Sequence, residues 1–278
     1  MKIIIDNLNI QNVHFYSMKF KKIQFCALLG ILSSFSSFGS VVTSFDGLAL
    51  DPNVHIDIPA GSSATYALGN GDLRFQATGN IDMWNARNGA PFAWTAKPLV
   101  GTGGSWYAET HVSFNTPAGS LERIAGFTLY DGPDGAGGAS AGMDFQFGLD
   151  QWDSPSGVWV QGLGDNLPGD SLTNLTSAYG GNSAFLRMEV TQLSVGEHFN
   201  FMYKADSGDA WTSLGSLNAN FADSRVALFL KGSGYYTGAQ DVSFSYLNVG
   251  AIPEFSSFGL TGIGLMSAMF LRRRRTGV

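Results

Sequence analysis

Glu109 and Glu189 are acidic residues set inside otherwise alternating, largely apolar segments. Hydrolysis of a glycosidic bond needs two carboxylates flanking it, about 5–5.5 Å apart for retention or 6.5–9.5 Å for inversion. Each glutamate stands alone on its own segment, so a pair could form only if the two segments met side by side. Metal chemistry has less to work with. His55, His111 and His198 are isolated, with no histidine or cysteine at ligand spacing. Asp131, Asp134, Asp150 and Asp153 are expected in loops, where hard oxygens would suit calcium, but the EF-hand spacing is absent and loop aspartates commonly form turns. Gly101-Thr102-Gly103-Gly104 lacks the lysine and following helix of a phosphate loop and reads as a turn. No catalytic residue and no cofactor is assigned from these patterns, calcium being the one ion the loops would fit.

Sugar binding asks for exposed aromatic rings to stack on pyranose faces and for amides or acids to meet the hydroxyls. If Val158 and Val160 face a core, Trp159 and Gln161 face outward, and the same alternation turns Tyr107, Glu109, His111, Asp144 and Gln146 away from it. These seven are the candidate ligand-binding residues. They line one surface only if their segments share a sheet, and the alternative is that some lie on the opposite sheet or beneath a loop.

The elements that carry them are strands. In Trp106–Phe114 the residues Trp106, Ala108, Thr110, Val112 and Phe114 share one face while Tyr107, Glu109, His111 and Ser113 share the other. Met143–Leu149 alternates in the same way, and further runs lie at 126–130, 158–162, 185–190, 199–205, 210–214, 225–230 and 242–249. Helical periodicity is nearly absent, and roughly a dozen short strands in one domain imply a sandwich or jelly roll. Asp206-Ser207-Gly208-Asp209 separates two of the runs as a hairpin turn would. Residues 131–142, with five glycines, read as a loop.

Charge divides the chain into three. Residues 1–39 carry +3, residues 40–251 carry −12 and residues 252–278 carry +3, together the −6 of the whole. An acidic middle without clustered Lys/Arg excludes nucleic acid as its partner. The first 39 residues read as a signal peptide with its start at Met18: Lys19, Lys21 and Lys22 precede the apolar stretch 23–32, and Ser37 and Gly39 suit positions −3 and −1 of a cleavage site. The single cysteine, Cys26, lies in that stretch, so the mature chain has no disulfide. A segment of about 210 residues buries roughly 70 % of its unfolded surface and does not need one.

At the other end, Ile252-Pro253-Glu254-Phe255 leads into a mainly apolar segment, 255–271, closed by Arg272, Arg273, Arg274 and Arg275. Such a segment is about the minimum for a membrane span, and the arginines would stay cytoplasmic with the domain outside. The layout resembles the PEP-CTERM sorting signal of exported Gram-negative proteins, although Phe255 stands where the family pattern has proline. The resemblance implies an exosortase as partner and transient membrane attachment through the tail; an ordinary stop-transfer anchor is the alternative.

The order Gly71-Asp72-Leu73-Arg74-Phe75, Asp82-Met83-Trp84, the strand Trp106–Phe114, Ala125–Tyr130, Phe185–Val190, Phe199–Lys204 and Asp209–Thr212 resembles the concanavalin A-like lectin/glucanase superfamily over residues 70–249. Within it, Tyr203–Trp211 is similar to a Tyr-x-Ser/Ala-Asp-Gly-x-x-Trp hairpin of extracellular domains. The resemblance implies an all-β jelly-roll sandwich over 40–251. Glucanases of that superfamily carry acids at alternate positions of one strand, and no such run occurs here. The expectation is an exported, envelope- or exopolysaccharide-associated, non-catalytic protein, with a glycan as the implied ligand class. A polysaccharide-cleaving glycosidase and a purely structural matrix protein are the alternatives.

Overall fold

The computed structural model describes residues 41–47, 49–79, 81, 89–116, 123–130, 145–151, 157–162, 175–221, 225–232 and 239–253. They form strands and connections, with no helix among the described residues. In chain order the strands are β1 Val41–Ser44, β2 His55–Asp57, β3 Thr65–Gly69, β4 Asp72–Ala77, β5 Phe92–Ala96, β6 Ser105–Phe114, β7 Arg123–Tyr130 and β8 Phe145–Gln151. There follow β9 Gly157–Gly162, β10 Leu175–Ser177, β11 Ser183–Gln192, β12 Glu197–Lys204, β13 Thr212–Ala219, β14 Arg225–Gly232, β15 Gln240–Phe244 and β16 Tyr246–Ile252. The expected runs fall on strands, apart from Ser245 and from Ala205, Ala210 and Trp211 in the β12–β13 connection, while Met143 and Asp144 lie outside the described residues. The additional ones are mostly three to five residues long, too short to show a period of two.

Every pairing between these strands is antiparallel. A seven-stranded sheet runs β10-β9-β8-β7-β14-β5-β2, and a nine-stranded sheet runs β13-β12-β11-β6-β15-β4-β3 with β1 and β16 beside it. The sequence run 242–249 is divided at Ser245. β15 pairs with the Val112–Phe114 end of β6 and β16 with the Ser105–Glu109 end, while Ser245 N–H donates to the His111 carbonyl at 3.1 Å. One long strand, β6, is therefore edged by two short ones that lead to different neighbours, β4 and β1.

Phenylalanines fill the space between the sheets. Phe145 of β8 packs edge-on to Phe199 and Phe201 of β12 at 5.8 and 5.4 Å, and Phe147 meets Phe201 at 5.1 Å. This fixes which face of each strand is the core face. β6 and β11 bury alternate residues, as an outer strand face open to solvent requires. β8 and β15 are buried along their whole length.

Two backbone devices set the edges. Asn70 and Gly71 are the two residues between β3 and β4, at φ 57° and 86°. Positive φ at both positions is the requirement of a type I′ hairpin, which Asn-Gly meets at least cost. Between β12 and β13 the register shifts beside Phe201/Met202, so that Phe201 faces Gly215 and Met202 faces Ser213. Leu214 is the extra residue of this bulge, and Gly215 beside it takes φ 141°. The Asp206–Asp209 turn closes the same pair, its Asp209 N–H donating to the Asp206 carbonyl at 3.1 Å. Residues 1–39, expected to form a signal peptide, and the expected sorting tail from Glu254 onward, including Arg272–Arg275, lie outside the described residues.

Candidate functional site

The outward positions of β6, β11 and their neighbours converge on Arg187. In the register, Arg187 of β11 faces Glu109 of β6, and Glu189 lies two residues along its own strand on the same face. The guanidinium donates through Nη1 to Glu109 Oε2 at 3.1 Å and through Nε to Glu189 Oε1 at 2.9 Å. Glu109 accepts a second hydrogen bond at Oε1, from Tyr246 Oη on β16 at 2.9 Å. Burial, reinforced by the Glu109 carboxylate, pushes the Tyr246 hydroxyl above the ordinary tyrosine range, so it remains a donor. The two glutamates that stand apart in the sequence thus meet through a single arginine.

Aromatic rings surround this ion cluster. Arg187 lies over Tyr107 at 4.8 Å and within 5.9 Å of Trp211, and Lys204 Nζ sits 4.7 Å from the same Trp211 ring and 5.2 Å from Phe185. Lys204 also donates to the Ser207 carbonyl at 2.6 Å, which ties the hairpin beneath Trp211 to the sheet. His111 stacks at 4.4 Å on Phe185, its partner across the register, and its Nδ1 is 3.1 Å from Ser245 Oγ. Burial lowers the His111 pKa, with Asp72 opposing, so the ring is neutral at neutral pH. Asn248 faces Glu109 from β16, and its buried Oδ1 has no hydrogen-bond partner among the described residues.

Beyond His111 the same face continues into a cleft of about 470 Å³, lined by Ala67, Asn70, Asp72 and Arg74 of the β3–β4 hairpin and by Asn115 and Ser243. Its wall is a hydrogen-bonded network around the buried Asp241. Arg74 grips that carboxylate through both Nε, at 2.6 Å, and Nη2, while Asn115 and Gln76 donate at 2.9 and 3.0 Å. Burial alone would raise the Asp241 pKa, but these donors and the Arg74 charge more than offset it and hold the carboxyl below its usual range.

Of the seven residues expected to bind a ligand, the six on described strands divide between the two sheets. Tyr107, Glu109 and His111 lie together on the outward face of the nine-stranded sheet, partly exposed. Gln146 belongs to β8 of the other sheet. It is turned from the inter-sheet core, since Phe145 and Phe147 point inward, yet it is 2 % exposed and not the open surface residue expected. The face opposite the core is covered there, so alternation alone does not make it a surface. Trp159 and Gln161 are on β9, in register with Gly148 and Gln146, and their side chains lie outside the described residues, as does Asp144. Asp150 lies in strand β8, buried, and not in a loop; Asp131, Asp134 and Asp153 are outside the described residues. Among the described residues no group of three or more His, Cys, Asp or Glu side chains is placed to hold a metal ion.

Phe185, Arg187, Lys204, Trp211 and Tyr246 were absent from that sequence-based set. Phe185, Arg187 and Glu189 alternate with the buried Leu186, Met188 and Val190, a pattern visible in the sequence. That β11 is the neighbour of β6 is a tertiary fact.

Comparison with protein families finds no match, and comparison with curated proteins finds none. Solved structures do match. An endo-1,3-β-glucanase from Streptomyces sioyaensis superposes at a TM-score of 0.51 with 15 % identity, over 78 % of this chain and 97 % of that one. A functionally unknown protein from Saccharomyces cerevisiae gives 0.52 and 15 %, over 72 % and 97 %. A xylan β-1,4-xylosidase from Bacillus halodurans C-125 gives 0.53 and 11 %, over 75 % of this chain and 38 % of that one. The chain shares the β-sandwich fold of these structures. At such identities the likeness extends to fold and no further.

Proposed function

We propose that this is an exported, non-catalytic β-sandwich protein that binds a neutral glycan along the outward face of its nine-stranded sheet. The observation that carries the reading is the convergence of Tyr107, Phe185 and Trp211 with Glu109, Arg187, Glu189 and Asn248 on one partly open face. Rings offer stacking platforms, and carboxylates and amides offer partners to hydroxyls. From Trp211 beside β13 to the cleft at β3 the face spans six strand spacings, about 29 Å, a length suited to several sugar units in a row. The acidic domain disfavours a polyanionic chain. That a glucanase and a xylosidase share this fold supports carbohydrate as the ligand class.

A glycosidase remains the competing reading, because Glu109 and Glu189 both reach one guanidinium and are therefore close together. Arg187, however, occupies the space between them that a glycosidic bond would need, and an acid catalyst must be free to hand over a proton. The location rests on the sequence: a signal peptide over 1–39 and a PEP-CTERM-like tail with Pro253, Glu254 and Arg272–Arg275 assign the protein to the envelope, surface or matrix of a Gram-negative bacterium, with an exosortase-type enzyme processing a membrane-held tail.

A panel of neutral and acidic polysaccharides, scored for retention of the protein and for release of reducing ends, tests the reading. Retention by a neutral glycan without new reducing ends is expected, with Trp211→Ala reducing affinity about tenfold or more through lost stacking, roughly 1–3 kcal/mol, while the melting temperature changes little. New reducing ends that disappear in Glu109→Gln would establish the enzyme instead. Retention by nothing would leave a structural matrix protein.

A further inference from the structure

Three strand ends and two loop tips meet at one end of the nine-stranded sheet. Ile252, the last residue of β16, faces Ser105, the first of β6, and Ser105 faces Thr191 near the end of β11. Pro253 and the tail therefore leave the sheet two strand spacings, about 10 Å, from the base of the β11–β12 turn. β1 starts at this end too, with Val41 opposite Val249.

The turn after β11 presents Val195, and the connection between β5 and β6 presents Leu99. These side chains are 82 % and 97 % exposed, and the only other exposed large apolar residue among those described is Tyr66, at 47 %. The two tips are fastened together on both flanks. Lys97 Nζ meets Glu197 Oε1 at 3.0 Å on one side, and on the other Gly103 N–H donates to the Gln192 carbonyl at 2.7 Å while Gln192 N–H donates to the Gly104 carbonyl at 2.9 Å. Leu99 lies between the first pair of cross-links and the second along its loop, as Val195 does along its turn. The one ion pair at the base is closed on itself, so it places no uncompensated charge between the aliphatic tips. An aliphatic side chain in full contact with water gains free energy from an apolar environment.

We propose that this end of the sandwich is its membrane-facing end, with Leu99 and Val195 seated in the interfacial layer of the bilayer that holds the tail. The proposal rests on the reading of residues 255–271 as a membrane segment. Residue 255 follows Pro253 by two positions in the chain, at most about 7 Å, so a bilayer holding 255–271 lies close to this end of the sheet. Two aliphatic residues supply shallow, reversible contact, enough to orient a domain the tail already tethers. The strands would then stand away from the membrane, with the Asp206–Asp209 hairpin at the far end of β12 and the glycan face pointing sideways, parallel to the surface.

The test uses the full chain carrying Cys26→Ser, reconstituted in phosphatidylethanolamine/phosphatidylglycerol vesicles. A polarity-sensitive fluorophore is placed in turn at Leu99→Cys, Val195→Cys, Ser207→Cys and Ser267→Cys. Headgroup-region nitroxide lipids should quench the labels at 99 and 195 several-fold more than the label at 207, with a blue shift that appears only in vesicles. Quenching at 267 with labels at 99 and 195 no more quenched than at 207 overturns this proposal and leaves the tail reading standing. An unquenched label at 267 overturns both. A blue shift at 99 and 195 that lipid nitroxides do not quench, and that grows with protein concentration, would assign the surface to a second copy of the chain and overturn the membrane assignment. Far-ultraviolet circular dichroism checks each labelled chain, and sites as exposed as 99, 195 and 207 leave the fold unchanged.

Discussion

His111 couples the two halves of the outward face, with Phe185 and the arginine cluster on one side and Ser245, Asp72 and the cleft on the other. Because burial lowers its pKa, the unfolded chain takes up a proton near pH ~6.5 while the folded chain does so only at lower pH. Between those values the unfolded state binds more protons, so this contribution to stability is complete above about pH 7.5 and is lost as pH falls through ~6.5 toward the folded value. Glycan affinity should follow the same curve if Phe185 depends on the stacked neutral ring. His111→Gln, which keeps a polar partner for Ser245, is expected to flatten the dependence of the melting temperature on pH between 7.5 and 5. An unaltered slope in the variant would place the titrating group elsewhere.

At the scale of elements, the connection between the sheets depends on a buried cation. Arg123, at the start of β7, is fully buried, donates from Nε to Gln151 Oε1 at 2.9 Å and from Nη2 to the Thr116 carbonyl at 2.6 Å, and lies 4.4 Å over Phe114. Gln151 in turn donates to Asn182 Oδ1 at 2.6 Å. The chain leaving β6 and the chain entering β11 are thus pinned to β7 and β8 of the opposite sheet. Arg123→Met keeps the apolar volume but orphans buried acceptors, each worth about 1–3 kcal/mol. We expect a loss of about 3 kcal/mol, or a melting temperature lower by roughly 6–12 °C for a domain of this size. A change below 2 °C would show that the network is replaceable by water.

At the scale of the whole molecule, the sandwich is closed by its first and last described strands. β1 and β16 pair with each other, and β16 also completes the edge of β6, matching Asn248–Ile252 with Glu109–Ser105. The domain therefore needs its last residues before Pro253, and the functional boundary falls after Ile252. A chain of residues 40–253 should melt in one transition with an all-β circular dichroism spectrum. A chain stopped at Leu247 removes the pairing of half of β6 and part of β1, along with Asn248 beside Glu109; it should fail to fold or melt lower by more than about 10 °C. Equal melting of the two chains would mean that β16 is dispensable.

Alternation by itself determined the strand content, because side chains on successive strand residues point to opposite faces whatever the tertiary context. It placed Tyr107, Glu109 and His111 on one side of β6 and Trp106, Ala108, Val112 and Phe114 on the other, and the structure agrees residue by residue. The acidic middle and the Asp206–Asp209 hairpin were legible in the same way. What alternation could not supply was adjacency. Glu109 and Glu189 are 80 positions apart in the chain, and only the pairing of β6 with β11 puts Arg187 between them. Nor could it tell an open face from a covered one, which is why Gln146 reads as exposed in sequence and is buried in the fold. Period two reports which residues share a face of a strand; which strands are neighbours, and which faces meet water, is decided by how the two sheets pair and pack across the whole chain.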